Sequence, residues 1–570
     1  MILQALTQYY ERKSGANEGA LPPFGFETKL IPVIAEINEQ GSLVQLRVSD
    51  KESSSTEYIV PQGVKKTSGV AANLFWDNVE YVFGIDTKGK PERVAEQHAE
   101  FIKRIKSLDE PAASDKGVQS LLKFLSSFDP ASLKDNLHWD YLLTNPNISF
   151  QLQGDSQLVC QRQAVIDTLR ETKPQESSSL CLVTGERDEP ERLHSSIKGV
   201  WGAQSSGANI VSFNLDAFNS FGKSQGLNAP VGKRASFFYT TALNHLLRKG
   251  SEQRFQVGDA STVFWAAKDH KFESSFATIW GTTPSDIKDD PDKYTNAVKA
   301  VFNAVNRGQL SEDDRDTQFF YVLGLSPNAA RIAIRFWIVG TVSEFAGRIK
   351  KHFDYLQIIH GNNELEYLPL FLLLVNVAVQ GKSDNIPPNL GGEVMQSILS
   401  GRPYPYTLFA AAIRRCKAEQ HVNYPRAAII KAYLNRFHNT EEIKVALDKE
   451  NSNTAYRLGR LFATLEKIQE EANPGINATI RDRYYGSASS NPVAVFSTLL
   501  KLKNHHLGKL DNPGRKTNFE KLLGEIMTDI PPNLPATLSL QDQGRFAVGY
   551  YHQRQDFFTK KTSNESGELR

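Results

Sequence analysis

The stretch QGKSDNIPPNLGG (380–392) separates two kinds of polypeptide within one chain. Before it, short apolar runs bounded by turn residues alternate with helical periodicity. LIPVIAEI (30–37), SLVQLRV (42–48) and EYVFGID (80–86) read as strands. Helical spacing follows at 91–108, opened by Pro91, and at 117–128. Further strands are expected at 180–184, 208–214, 261–267 and 318–325, interleaved with helices near 161–171, 235–249 and 291–306. RIAIRFWIV (331–339) alternates polar and apolar residues, as a strand with one wet face does. After 392 almost every signal is helical. NPVAVFSTLLKLKNHH (491–506) begins with Asn491 as an N-cap and Pro492 at the first helical position. In YRLGRLFATLEKIQ (456–469), Leu458, Leu461, Phe462, Leu465 and Ile468 share a face. Arg457, Arg460 and Lys467 fall on another, about 130° away by the 3.6-residue period. The final helix, 538–558, spaces Phe546, Tyr550 and Phe557 along one side, and Gly544 and Gly549 would let a neighbouring backbone come close.

The expected fold class is therefore α+β: a mixed α/β N-terminal region with short sheets, then an all-α helical bundle. At 570 residues the chain exceeds one compact core. Its divisions read as an N-terminal α+β subdomain (1–115), a mixed α/β middle (116–380), a linker with connecting helices (381–440) and a helical bundle (441–570). Net charge is only +2, but residues 402–516 hold nineteen Lys and Arg against ten Asp and Glu. A basic surplus confined to one region is the electrostatic footprint that nucleic acid requires. The opening MILQALTQYYERKSG lacks the features of a secretory leader, and YLPLFLLLVNVAV (367–379) is too short to span a bilayer. Cys160, Cys181 and Cys416 are too few and too scattered for a disulfide framework, and Cys181 reads as a small buried residue on a strand. A cytoplasmic protein without membrane contact is expected.

One motif invites an enzymatic reading. AFNSFGKS (217–224) fits the relaxed phosphate-binding loop, with Lys223 for phosphates and Ser224 for magnesium. A phosphate cradle needs small residues so that successive backbone N–H groups can wrap the anion, whereas this loop has Phe218 and Phe221 and lacks the first glycine. Gly226, Asn228 and Pro230 interrupt the helix that should follow. Metal chemistry has little support. His505 and His506 diverge by about 100° on a helix, and Asp269–His270 is an isolated pair. Neither GxSxG nor HExxH occurs, so no catalytic residue, metal or cofactor is assigned. The residues that remain suit DNA contact: Lys65 and Lys66 on the Gly- and Ser-bearing loop before Leu74–Trp76, with Asn73 at its edge, and the Asn219–Lys233 loop rich in Ser, Asn, Gln, Gly and Lys. A stand-alone P-loop ATPase or nuclease centred on Lys223 and a purely structural scaffold are the alternatives from other classes.

The blocks MILQALTQYYER, LPPFGF, NLFWDNVEYVFGID, LGLSPNAARIAIRFW and QGRFAVGYYHQRQDFF run in order from the first residues to near the last. Together they resemble the large subunit of the type I-C CRISPR Cascade surveillance complex. The resemblance implies a non-catalytic DNA-recognition subunit in bacterial antiviral defence. Guide RNA pairing would read the target while this subunit checks a short flanking motif and helps open the strands. It implies as partners the CRISPR RNA-containing backbone and handle-binding subunits, a small helical subunit, target double-stranded DNA and a helicase-nuclease. It also implies that the C-terminal region is made separately from an internal start; no Met lies between Met395 and Met527, which leaves Val445 or Leu447 as candidates. On this reading the motif is recognised by Lys65, Lys66, Asn73, Asn219, Lys223, Gln225 and Asn228. The displaced strand follows Arg457, Arg460, Lys467, Arg481 and Arg483, with Tyr484 and Tyr485 for stacking.

Overall fold

The computed structural model describes residues 1–15, 21–49, 57–64, 66, 69–170, 179–306, 318–438 and 440–558. The chain forms two compact units, Met1–Ile197 with Asn209–His245, and Lys198–Ala208 with Leu246–Arg570. The architecture is α+β, as the pattern of runs predicts.

In the first unit, β2 (Val33–Ile37) lies at the centre of a four-stranded sheet. It pairs antiparallel with β3 (Leu43–Val48) and parallel with β6 (Asn147–Leu152), which pairs antiparallel with β5 (Trp76–Asn78). A parallel neighbour requires a crossover. The chain between β2 and β6 supplies it with α3 (Pro91–Lys106) and α4 (Lys116–Ser127). Phe101 and Phe124 from these helices meet Phe150 of the sheet in the core. A separate ribbon joins β1 (Phe26–Leu30) to β4 (Glu57–Pro61). The other elements of this unit are α1 (Ile2–Gly15), α2 (Val79–Phe83), α5 (Trp139–Leu142), α6 (Gln163–Arg170), β7 (Ser179–Leu180), β8 (Arg187–Asp188) and α7 (Lys233–Leu247).

Three of the sequence expectations fail here. EYVFGID is a helix, α2, because the Asn78 side chain accepts from the Tyr81 N–H and Gly84 ends the turn at φ +68. The run 180–184 contributes only the end of β7, so Cys181 lies in the following turn, where its sulfur accepts from the Gly232 N–H at 3.2 Å. Residues 208–214 form no strand.

In the second unit, β9 (Arg254–Val257), β10 (Ala260–Ala266), β11 (Phe319–Asn328) and β12 (Arg331–Thr341) make an antiparallel meander. Along β12 the buried positions Phe336, Ile338 and Gly340 alternate with wetter ones, as the sequence predicts, but a register shift breaks the pattern between Ile332 and Phe336 and leaves Ile334 exposed. The helices are α8 (Phe272–Gly281), α9 (Pro284–Asp289), α10 (Pro291–Asn306), α11 (Val342–Leu356), α12 (Leu370–Val377), α13 (Leu390–Ser400), α14 (Tyr406–Glu419), α15 (Tyr424–His438), α16 (Thr454–Ala472), α17 (Ile480–Ala488), α18 (Pro492–Gly508), α19 (Pro513–Met527) and α20 (Leu540–Phe558). One continuous apolar core runs from Phe264 and Phe320 of the sheet to Phe409, Phe462 and Phe546 of the helices. The change of pattern at 380–392 thus falls inside this unit, and Leu390 is part of its core.

At the centre of the helical part α16 crosses α20 at backbone contact. A methyl group on Gly549 would stand 2.1 Å from the Tyr456 carbonyl oxygen, and one on Gly459 2.0 Å from that of Phe546. A methyl on Gly544 would stand 2.9 Å from the Phe409 ring, so of the two glycines singled out in the last helix Gly549 admits a neighbouring backbone and Gly544 a side chain. Asn491 stands at the N-cap position of α18 with Pro492 at its first position, as predicted, but its side chain makes no capping bond and its amide donates to the Ala536 carbonyl at 3.2 Å. Cys160, Cys181 and Cys416 are free and buried. Among the described residues no helix is long and apolar enough to cross a membrane.

Candidate nucleic-acid interface

The 219–228 loop is built around one side chain. Asn228 Oδ1 accepts from the Ser220 N–H at 3.0 Å, while its amide donates to the carbonyls of Lys223 (3.1 Å) and Gln225 (3.0 Å). Ser220 and Lys223 face each other across an antiparallel bridge, closed by a Lys223 N–H to Ser220 carbonyl bond of 3.0 Å. Between them Phe221 (φ +53) and Gly222 (φ +68) take left-handed backbone, the conformation of a tight hairpin turn. Phe221, Gly222, Lys223 and Ser224 are exposed at its tip. Asn228 is therefore an organiser of the loop, its polar atoms engaged by the loop's own backbone. Gln225 is half-buried at φ +49 and Asn219 Oδ1 accepts from the Asn228 amide at 3.4 Å, which leaves the Lys223 ammonium and the amide nitrogen of the exposed Asn219 as the predicted groups at the surface.

This geometry is not a phosphate cradle. A two-residue turn cannot wrap an anion with successive N–H groups; only a single 3-10 turn, Gln225–Asn228, follows it, and the next α-helix, α7, begins at Lys233. The Asp269–His270 pair is likewise occupied structurally, since His270 Nδ1 accepts from the Phe272 N–H at the start of α8. Among the described residues no group of three or more His, Cys, Asp or Glu is placed to hold a metal ion.

The second predicted reader is a clamped loop. Asn73 is buried, its Oδ1 accepts from the Val64 N–H at 2.9 Å, and its own N–H donates to Asp77 at 2.8 Å. Lys66 pairs with Asp77 at 2.7 Å and lies over the Tyr81 ring at 3.7 Å. Lys65 lies outside the described residues. At 5% exposure Asn73 does not present its amide to a groove, which corrects the sequence reading. Asn73→Ala is expected to lower the first unit's stability by about 1–3 kcal/mol, because the Val64 N–H loses its acceptor. Thermal unfolding measures this, and discrimination between flanking motifs should persist.

The C-terminal cations divide sharply. Arg457 and Arg460 are 4% and 0% exposed. Arg460 pairs with Glu525 at 2.8 Å and donates to Gln553 at 3.1 Å. Arg457 pairs with Asp529 at 2.5 Å and reaches the Glu525 and Ile526 carbonyls at the end of α19. There they neutralise the negative helix terminus. They are buried ties, not a surface that DNA can reach. Lys467 is partly buried beside Glu471 at 3.5 Å, and Arg481 stands 3.7 Å from the fully buried Glu466, whose charge helps hold its pKa up. Tyr485 is buried and Tyr484 packs against the core, so Tyr485 is not free to stack on a base.

Arg483 alone of that set is fully exposed. The outward stripe that the sequence reading missed is Lys501 and His505 on α18 with Lys509 just past its end, all exposed and spaced i, i+4, i+8; the Lys509 ammonium donates to Asn473 Oδ1 at 3.2 Å. Their common spacing within KLKNHHLGK was the available signal.

Comparison with known families supplies what geometry cannot. Residues 6–558 match the family model described as CRISPR-associated protein (Cas_Csd1). The chain belongs to the Cas_Csd1 family. This is the family of large subunits that the five sequence blocks resemble. No curated protein matches the chain. Cas_Csd1 membership makes the chain a CRISPR-associated protein with a place in a CRISPR-associated complex, and the match extends over both compact units.

Proposed function

We propose that this Cas_Csd1 protein is the non-catalytic large subunit of an RNA-guided surveillance complex. It recognises a short motif in duplex DNA flanking the target, assists strand opening, supports the displaced strand and recruits a helicase-nuclease. The observation that carries the reading is the Asn228-bound turn, which holds Lys223 and Asn219 outward on a rigid base. An ammonium and a side-chain amide suit groove acceptors and phosphates, and a glycine beside them permits close backbone approach. In the second unit, Arg483, Lys501 and Lys509 form the exposed positive track for a single strand, in place of the buried Arg457 and Arg460.

Salt titration tests the track. Each of Arg483→Ala, Lys501→Ala and Lys509→Ala should weaken binding equally for all target sequences. Each lost phosphate contact should flatten the slope of log affinity against log salt by about 0.7 for a single strand. Arg460→Ala should instead destabilise the helical unit, because Glu525 and Gln553 lose their partner. An unchanged slope in the triple variant removes this face from the proposal.

A further inference from the structure

Between helices of the second unit lies a cavity of about 510 Å³, within the range of small-molecule sites. It is bounded by the 361–364 turn, the connection from α14 to α15 at 421–424, and the C-terminal half of α20. Tyr424 and Tyr551 form its aromatic wall. Both are buried and both are locked: the Tyr424 hydroxyl donates to the Leu365 carbonyl at 3.1 Å, and the Tyr551 hydroxyl to the Ile359 carbonyl at 2.8 Å. The same two bonds fix the ends of the segment that carries the rim. Within it the Glu364 N–H donates to the Gly361 carbonyl at 3.0 Å, closing a turn that brings Asn362, Asn363 and Glu364 to the cavity. All three are exposed, and among the described residues no hydrogen bond or ion pair engages their side chains.

Charge narrows the ligand. Desolvation raises the pKa of Tyr424 and of Tyr551, and the Glu364 carboxylate adds to the rise in each, so it stands near both hydroxyls. A carboxylate there disfavours an anion and calls for a group that donates hydrogen bonds. A cation is disfavoured too, because Arg481 and Arg426 reinforce desolvation in holding down the pKa of His421, which lines the same cavity. A flat, neutral ligand with adjacent donors remains. Among the bases guanine alone sets two neighbouring donors, N1–H and the N2 amino group, beside an acceptor, O6. The donors match the two oxygens of Glu364, and the Asn362 or Asn363 amide suits O6. We propose that this cavity is a guanine pocket that takes a base turned out of the displaced single strand. Aromatic packing and edge hydrogen bonds are how proteins hold an extruded base. The inference rests on the single-strand track proposed above: Arg481, close enough to act on His421, shares the short helix α17 with Arg483 of that track.

The test uses the full chain and fluorescein-labelled oligothymidine strands whose central position is dT, dG, dA or deoxyinosine. Wild type should bind the dG strand about tenfold more tightly than the all-dT strand. Deoxyinosine, which lacks the N2 amino group, should lose most of that preference. Glu364→Gln should bring the dG and dT affinities within twofold at an unchanged melting temperature, since no partner within the fold is lost. The ratio is the readout, because removing any carboxylate favours polyanions in general. Asn362→Ala combined with Asn363→Ala should cut the ratio at least threefold. Equal wild-type affinity for dG and dT strands overturns the pocket and leaves the track standing. A dA preference equal to that for dG overturns the guanine reading, leaving stacking alone. Guanosine monophosphate that competes at the concentration of the dG strand, or a ribonucleotide strand that binds tenfold more tightly, overturns the assignment to displaced DNA. If Lys501→Ala and Lys509→Ala leave both affinities unchanged, the track falls separately, and the dG preference still decides the pocket.

Discussion

Replacing Gly549 with alanine is expected to lower the unfolding free energy of the second unit by about 3 kcal/mol or more, the upper end of what overpacking a core costs. The added methyl would stand 2.1 Å from the Tyr456 carbonyl oxygen and 2.9 Å from the Tyr456 carbonyl carbon, both backbone atoms that no rotamer change can move. Relief requires α16 and α20 to separate. That separation would disturb the facing Gly459 contact and the packing of Phe462 against Phe546 and Tyr550, with ring centres 5.9 and 6.0 Å apart. Gly486→Ala in α17 is the matched control, since nothing lies within 4 Å of its new methyl. There the helix should gain up to about 1 kcal/mol from improved propensity. Chemical denaturation of both variants measures the pair. Similar small effects would mean that the crossing is looser than described.

Acid should destabilise both units well before most carboxylates titrate. His194 is hydrogen-bonded to the Tyr239 hydroxyl at 2.6 Å, His352 to Tyr404 at 2.6 Å and His552 to Tyr456 at 2.9 Å. All three are buried, and the Nε2 atoms of His194 and His352 have no hydrogen-bond partner. Burial pushes His194 down to about 4, and it pushes His352 and His552 down to about 3, helped at His352 by Arg436 and at His552 by Lys431. In the unfolded chain each titrates near 6.5. The stabilisation from keeping these rings neutral is therefore fully present above about pH 6.5 and is lost as the pH falls toward 4, because unfolding then takes up a proton at each ring. The slope should approach about 1.4 kcal/mol per pH unit for the first unit, with one such ring, and about 2.7 for the second, with two. Melting curves at pH 7.5, 6.0 and 5.0 should show progressive loss. Level transitions from pH 7.5 to 5.0 would contradict the neutral-histidine account.

What the sequence made legible follows from how local each signal was. The helix at 291–306 is bounded by Pro291 at its first position and is found at the predicted limits. β12 declares itself by the alternating residues of RIAIRFWIV, although a register shift beside Ile334 leaves that residue exposed, and the close approach at Gly549 is announced by a glycine in an otherwise well-formed helix. The five-residue apolar core of EYVFGID is ambiguous by period alone, and the tertiary fit of α2, with all five residues buried, decided it. Arg457 and Arg460 were misplaced for a different reason. A helical wheel separates apolar from charged faces, but α16 is surrounded by α18, α19 and α20, so its charged face is also interior. Their partners Glu525 and Asp529 lie more than sixty residues away, beyond any local pattern. The binding loop was found by composition, because Gly, Asn, Ser and Lys mark an exposed turn. Composition could not say that Asn228 is spent on the turn and Phe221 is left in the open.

The proposed function rests on the turn at 220–223 acting as a reader. The direct measurement is the affinity of the assembled complex for two duplexes that carry the same guide-matched target, one with its cognate flanking motif and one with that motif scrambled. The wild-type chain should favour the cognate duplex by at least tenfold, about 1.4 kcal/mol. Lys223→Ala combined with Asn219→Ala should bring the two affinities together while the chain's melting temperature is unchanged. Full discrimination in that double variant would contradict the account.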